Sequence, residues 1–563
     1  MAGGGVPPAV PGEARAGELP HLKSRILRYL PFWLAFAAAL ALRLAFLDVR
    51  PLHHDEGVYA WMLSRLFAGY QFSYEPARFH GPFLVFFAAP FAGLLGESVF
   101  VLRLPAALAS ALMVPLLLPL RRRLGLAGIT AAAWLLALSP SFIAYGRDLI
   151  PETFLAGLTL ALVAAVSDWL ATRRERSLIL AAFCLGLLAT VKETYVLTLT
   201  VLALAALLAR TWAGGRPRLR ELWGTPRCET VTRAAAAFGV PYVLLYTSFF
   251  TNPQGLLDSF RTFLLWAGKG IGGAGHGKPW DYFLRLLLSF EPTILVCAVA
   301  GGWLALRRRD AFGTFCALWT AGELAAYSAL RYKTPWLALN VLLPAVLTAG
   351  VLFREAFEKP WPVAVRAALA GLFALGLTWS GWRAVEVSFR RFDDDRLPLV
   401  YVPTHRDVKE LVAWVREAAG RIPPGRRPSV RIYGLHAWPL PWYLRDLPGM
   451  EYRHAIPPRP DGDVLIVEKR WEDRLRPLLR QRYRRRQYQL RPGAWVAVYV
   501  KEVLGSPPPA HGAPAGVPLA RPGAPLARTV ATADGSAGPA AGAALLSDRL
   551  KCPVQGSTGP ARA

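Results

Sequence analysis

Apolar runs recur along this chain from Pro31 to about Trp379, and the polar residues between them gather in short islands. The first run, residues 31–47, carries one charge, Arg43. With its flanks it is long enough to cross a bilayer, which takes roughly 17–25 residues. Similar runs follow at 99–120, 124–138, 154–170, 178–191, 195–208, 234–250, 283–306, 311–330, 336–353 and 361–379. Residues 80–96 are also apolar, but Pro90 and Gly93 break them, and they read as a juxtamembrane helix in the interface. The pattern changes at about Gly381. Residues 408–419 have helical period, whereas 429–433, 464–468 and 494–500 read as strands. The expected architecture is mostly α: a polytopic membrane protein with about eleven transmembrane helices, oriented by its basic loops. Its parts are a disordered N-terminus (1–22), a transmembrane domain (23–380), a small extracytoplasmic α/β domain (381–502) and a disordered Pro/Ala/Gly-rich tail (503–563).

Composition agrees with that class. Of 563 residues 54% are hydrophobic and 18% charged, below the roughly 25% charged of soluble domains. The net charge of +27 invites a nucleic-acid partner. Its distribution argues against one, because the cations cluster in short loops such as Arg121-Arg122-Arg123 and Arg307-Arg308-Arg309, as the positive-inside rule produces. These loops and Lys23, Arg25 and Arg28 predict a cytoplasmic N-terminus and an extracytoplasmic C-terminal domain. An arginine cluster, Arg482, Arg484, Arg485 and Arg486, stays available for a polyanion or lipid headgroup. The five cysteines are scattered without a CxxC, so no disulfide framework or thiolate zinc site is expected. The first apolar run reads as an uncleaved signal-anchor.

With this topology the polar islands fall mostly on the outer face. They are 53–56, 145–148, Lys192-Glu193, 251–253, 275–280 and 331–336. Ionisable residues near bilayer depth are costly and mark sites or pathways. His53-His54-Asp55-Glu56 follows the first span directly. An acid pair with two histidines suits a general base, a divalent-metal site, or both. Asp55 and Glu56 also suit the start of a helix, where acids complement the dipole. Arg147 is a candidate for phosphate oxygens, and Arg147-Asp148 equally suits an ion pair capping the next helix. Lys192-Glu193 sits at a span boundary, where snorkelling is the ordinary reading. The glycine-rich stretch 268–277, ending in His276-Gly277-Lys278-Pro279-Trp280, suits a mobile lid or a plain loop with an interfacial tryptophan. Arg331-Tyr332-Lys333 places two cations outside, against the charge bias, which favours phosphate binding. Trp438, Trp442 and Tyr443 suit sugar stacking or an aromatic core.

Taken in order, the motifs resemble the GT-C glycosyltransferases. They are Asp-Glu in the first external loop, a Gly-Pro juxtamembrane helix, Arg103-Leu104-Pro105, and Leu-Ser-Pro followed by Tyr-x-Arg-Asp. The type is that of family 39, which includes protein O-mannosyltransferases and the aminoarabinose transferase of lipid A. His54-Asp55-Glu56-Gly57, Lys192-Glu193, Thr251-Asn252-Pro253, His276-x-Lys278-Pro279-Trp280 and Tyr332-Lys333-Thr334-Pro335-Trp336 resemble its prokaryotic flippase-activity-associated subgroup, linked to N-glycosylation. The resemblance spans roughly residues 25–500. It implies an inverting transferase that takes a sugar from a polyprenyl-phosphate donor to a hydroxyl of a glycan, protein or lipid acceptor at the plasma membrane. Asp55 matches the general base and Glu56 its neighbour. Arg147, Lys278, Arg331 and Lys333 are the candidates for the donor phosphate. His54, Asp148, Lys192, Glu193, His276 and Tyr332 are supporting residues, and His53, His54, Asp55 and Glu56 are the candidate ligands of a divalent metal. The histidine before the acid pair departs from the family pattern. A non-enzymatic flippase or flippase partner is the alternative; it calls for polar residues in mid-span, where Glu323 is the main candidate.

Overall fold

A computed structural model describes residues 18–77, 80–215, 226–272, 276–435 and 437–504. The tail expected from residue 503, beyond Leu504, and most of the expected N-terminal stretch lie outside the described residues. So do the tip of the glycine-rich stretch and part of the basic loop after Trp212.

The first helix, Glu18–Leu44, starts the membrane part. Helices follow at Val99–Leu112, Arg121–Leu138, Pro151–Thr172, Glu175–Val191, Tyr195–Trp212, Cys228–Tyr246, Pro292–Arg307, Ala311–Ala329, Ala338–Glu358 and Val363–Val385. By length and composition six described segments can cross a membrane, or seven if one bent pair counts. The other expected spans are helices too, but shorter or less apolar. The run 283–306 is not one straight span. Tyr282–Phe290 and Pro292–Arg307 meet at 107°, where Pro292 cannot donate to the helix before it. The segment 335–358 is buried over 94% of its spanning window and forms the axis of the bundle. Glycines let it approach its neighbours: Gly128 and Gly350 meet backbone to backbone, and Gly301 faces Thr348. Phe83–Leu95 has 13 residues, about 20 Å of helix at 1.5 Å per residue, too short to cross.

The C-terminal sheet domain opens with the helix Asp407–Gly420. Its strands are β1 (Val430–Tyr433), β2 (Met450–Arg453), β3 (Val464–Glu468), β4 (Tyr483–Arg491) and β5 (Ala494–Lys501), ordered β2-β1-β3-β5-β4. β1 runs parallel to β2 and β3, while β5 is antiparallel to β3 and β4. β3 is buried along its whole length, which explains its unbroken apolar sequence. β2 and β4 are edge strands with polar sequences, which hid them from pattern reading. In the arginine cluster, Arg485 pairs with Glu472, and Arg486 lies over Trp414 near Glu410.

The C-terminal sheet domain packs on the short helix His54–Phe67. Trp438 meets Trp61 edge-on, its neighbour Pro439 lies against Gly57, and Tyr443 Oη accepts from Leu52 N at 2.9 Å. Trp442 joins the core formed by Leu52, Tyr59 and Leu63. These aromatics are therefore interface core rather than an open sugar platform.

Candidate active site

The helix His54–Phe67 begins with a reciprocal cap. His53 Nδ1 accepts from Asp55 N at 3.2 Å, and Glu56 Oε2 accepts from His53 N at 2.8 Å. That geometry separates the two acids. Glu56 is fully buried. It accepts from Arg103 at 2.8 and 2.6 Å and from Leu149 N at 2.9 Å. Burial alone raises its carboxyl, but the Arg103 guanidinium brings it down to about 2. Asp55, one residue earlier, projects elsewhere. Among the described residues its carboxylate makes no hydrogen bond or ion pair. Burial raises it too, yet the imidazoles of His53, His54, His80 and His276 together hold it below the usual carboxylate range. Asp55 is thus an ionised, unspent acceptor, whereas Glu56 is committed to holding the helix, Arg103 and the 148–149 turn together.

Arg147 takes a different place from the one expected. Its guanidinium donates to the carbonyls of Leu42, Arg43, Ala45 and Phe46, closing the end of the first helix, and stacks on Phe389 at 4.3 Å. Three of these bonds leave Nη1 and one leaves Nη2, which ties the guanidinium to the end of the first helix. Asp148 pairs with Arg50 and lies 4.0 Å from Arg103, extending the Glu56 network. His53, Arg50, Asp148, Tyr145, Trp336 and Tyr401 line a cavity beside it.

The loop segments around 276–278 and 330–336 form one wall. Gly277 bridges Tyr332, Lys278 N donates to Arg331 O at 3.2 Å, and Lys333 N to His276 O at 3.1 Å. His276 Nδ1 meets Tyr401 Oη at 2.6 Å and its ring faces Tyr332 at 4.9 Å. Burial keeps His276 below its ordinary value. Lys278 sits over the Tyr401 ring at 5.6 Å. Lys333 is buried, its Nζ donating to the carbonyls of Leu330 and Lys278, and burial lowers it. Arg331 is exposed. Among the described residues none of Lys278, Arg331 and Lys333 has a carboxylate partner. That leaves positive charge on this wall for an anion.

Lys192 and Glu193 part company. Lys192 is buried and bonds Glu152 at 2.6 Å, while Glu193 takes His80 Nδ1 at 3.0 Å. The four candidate metal ligands do not converge. Two face different partners, since His54 Nδ1 meets Arg491 at 2.7 Å and Glu56 is held by Arg103. No cluster suited to a metal occurs among the described residues.

Several residues of this site were not singled out in the sequence. Arg103 was read as a motif letter, not as the counter-ion of Glu56. His80, Arg491 and Tyr401 come from a loop, from the end of β4 and from the segment between domains. Only His80 carried a signal, as the histidine heading the Gly81-Pro82 turn; Gly81 N bonds Val191 O at 3.1 Å with no room for a side chain.

Comparison with known proteins places the arrangement. The family model of dolichyl-phosphate-mannose-protein mannosyltransferase matches residues 79–224. No curated protein matches the chain by sequence. The structure of ArnT from Cupriavidus metallidurans bound to undecaprenyl phosphate superposes with a TM-score of 0.57 at 18% identity, covering 84% of this chain and 99% of that one. The apo state of the same protein gives 0.58 at 17% identity, covering 84% and 98%. The S. cerevisiae protein O-mannosyltransferase complex overlaps 44% of this chain and 37% of its own, at 19% identity and a TM-score of 0.32. The chain is a multi-pass membrane protein that shares the fold of ArnT over 84% of its length, and within it residues 79–224 match the mannosyltransferase family model.

Proposed function

We propose that the protein transfers a sugar from a polyprenyl-phosphate donor to an acceptor hydroxyl on the extracytoplasmic face, with inversion. The observation that carries this reading is the contrast within the acid pair: Asp55 is ionised and unbonded at the site, while Glu56 is spent on Arg103. Asp55 removes the acceptor proton as the hydroxyl attacks the anomeric carbon. The bond from that carbon to the phosphate oxygen breaks, and its electrons go to the departing phosphate. Lys278, Arg331 and Lys333, cations without acids of their own, stabilise that developing charge. The ArnT structure bound to undecaprenyl phosphate supports a polyprenyl carrier. Glu323, the mid-span acid of the flippase alternative, is buried against Trp319 at 3.2 Å rather than facing an open path.

The test is mass analysis of lipid-linked sugars and glycans from cells carrying native protein or Asp55→Asn. The expected result is accumulation of one polyprenyl-phosphate sugar with loss of one sugar from a glycan. Matching profiles, with a change only on full deletion, would move the flippase-partner reading ahead.

A further inference from the structure

The cavity beside Glu56 lies between the 399–404 segment, which leads from the last membrane helix to the sheet domain, and a wall that carries Arg50, His53, Asp148 and Trp336. Its hydroxyls are spent. Tyr145 Oη donates to Leu399 O at 2.7 Å, Tyr401 Oη meets His276 Nδ1, and Thr404 Oγ1 donates to Leu52 O at 2.7 Å. Several N–H donors are not spent. His53 Nδ1 accepts from Asp55 N, so its ring proton is on Nε2. That Nε2 is buried without a partner among the described residues. Arg50 gives Nη2 to Ala144 O and Asp148, while its Nε and Nη1 make no bond among the described residues. Nor does the Trp336 indole N–H. A buried donor left unpaired is destabilising, so these groups call for a polar partner.

The chemistry narrows the occupant. Arg50 is matched by Asp148 and Arg103 by Glu56, which leaves no surplus charge here for a phosphate or a metal ion. An apolar chain would leave the donors unpaired. A neutral polyol satisfies both sides, because its hydroxyls accept from the N–H groups and donate to the Asp148 carboxylate. Aromatic rings with a few placed polar groups are the usual lining of such a site. Trp336 is fixed for the purpose, with His53 edge-on at 5.8 Å, Tyr145 at 6.2 Å and Tyr401 at 5.7 Å. The cavity of about 50 Å³ has room for about three to five water molecules. Hydroxyls along one edge of a sugar ring take the places of such waters.

We propose that this cavity binds the hydroxyl-bearing edge of a sugar, with the His53 Nε2–H and Trp336 as its specificity-determining groups. This deepens the transferase reading of the same site and rests on it. The sugar belongs to the donor or to the acceptor, and the two differ in which KM responds.

The first experiment needs no turnover: saturation-transfer difference NMR of full-length protein in lipid nanodiscs, with the methyl glycosides of glucose, galactose, mannose and N-acetylglucosamine as probes. At least one glycoside should take up saturation from the native protein and from Asp55→Asn. It should lose that saturation in Val400→Trp, whose larger side chain fills the cavity. No uptake, or equal uptake in Val400→Trp, would overturn the proposal whatever the enzyme's reaction. Where Val400→Trp does not fold, His53→Asn and Trp336→Phe decide in its place, and each should weaken the signal. His53→Asn keeps a cap acceptor for Asp55 N and removes only the ring N–H. The second experiment measures transfer from the lipid-linked sugar recovered from Asp55→Asn cells. His53→Asn and Trp336→Phe should each raise one KM by about 3–10-fold, as loss of one hydrogen bond does, and leave the other unchanged. A raised donor KM assigns the site to the donor sugar, and a raised acceptor KM to the acceptor. A fall in kcat with both KM values unchanged would overturn a binding role. Asp55→Asn cells without an accumulated lipid-linked sugar would strike the transferase reading, and the glycoside experiment would then decide the cavity alone.

Discussion

At the residue scale, the two adjacent acids should respond to substitution in opposite ways. Asp55→Asn is expected to abolish sugar transfer while leaving the melting temperature unchanged, because its carboxylate holds nothing in place. Glu56→Gln leaves Arg103 buried beside a neutral group, and breaking a buried pair costs about 3–5 kcal/mol. Its expected signature is a fall in thermal stability measured by fluorescence-detected gel filtration. The same residue predicts the acid limb of stability. Its folded value of about 2 lies below the ordinary 4.5, so its contribution of about 3 kcal/mol is complete above pH ~4.5 and is lost as pH falls toward ~2. Denaturant midpoints across that range would show the loss, and Glu56→Gln should flatten it. Sequence placed the acid pair at the site but did not separate the two roles. The partners that separate them, Arg103, Leu149 N and the imidazoles, come from elsewhere in the chain.

At the scale of elements, the helix His54–Phe67 is the joint between the membrane helices and the C-terminal sheet domain. A side chain at Gly57 would begin 2.7 Å from Pro439. Gly57→Leu should therefore push the C-terminal sheet domain away, and limited proteolysis should cut faster in residues 391–406 than in the native protein. Arg147 closes the first helix with charge-assisted bonds, each worth about 1.5–3 kcal/mol. Arg147→Ala should lower expression and melting temperature, with donor affinity retained in the surviving fraction. Loss of affinity without loss of stability would return Arg147 to the phosphate. Helices with an apolar face were legible from their run lengths. The 107° break before Pro292 was not, because a proline at a first helical turn and a proline inside a span look alike until the partner helix is known.

At the scale of the molecule, the C-terminal sheet domain lends a residue to the candidate site. Arg491 stands where β4 ends, after the irregularity at Gln489, and reaches His54. Arg491→Ala should keep the sheet intact by circular dichroism yet lower kcat/KM by about 10-fold or more, as removal of a charged hydrogen bond does. An unaltered kcat/KM would confine the domain to a structural role.

Sequence by itself determined the class of molecule. Long apolar runs must cover their backbone hydrogen bonds as helices in a membrane, short apolar or alternating runs marked three of the five strands, and the basic loops and polar islands pointed to one shared face. Those are local properties, set by what each stretch can do in water or lipid. Which acid is free and which arginine is a clamp were decided by tertiary structure. A side chain's charge state depends on the groups that surround it, and here these come from positions more than a hundred residues apart, such as His80 with Glu193 and His54 with Arg491.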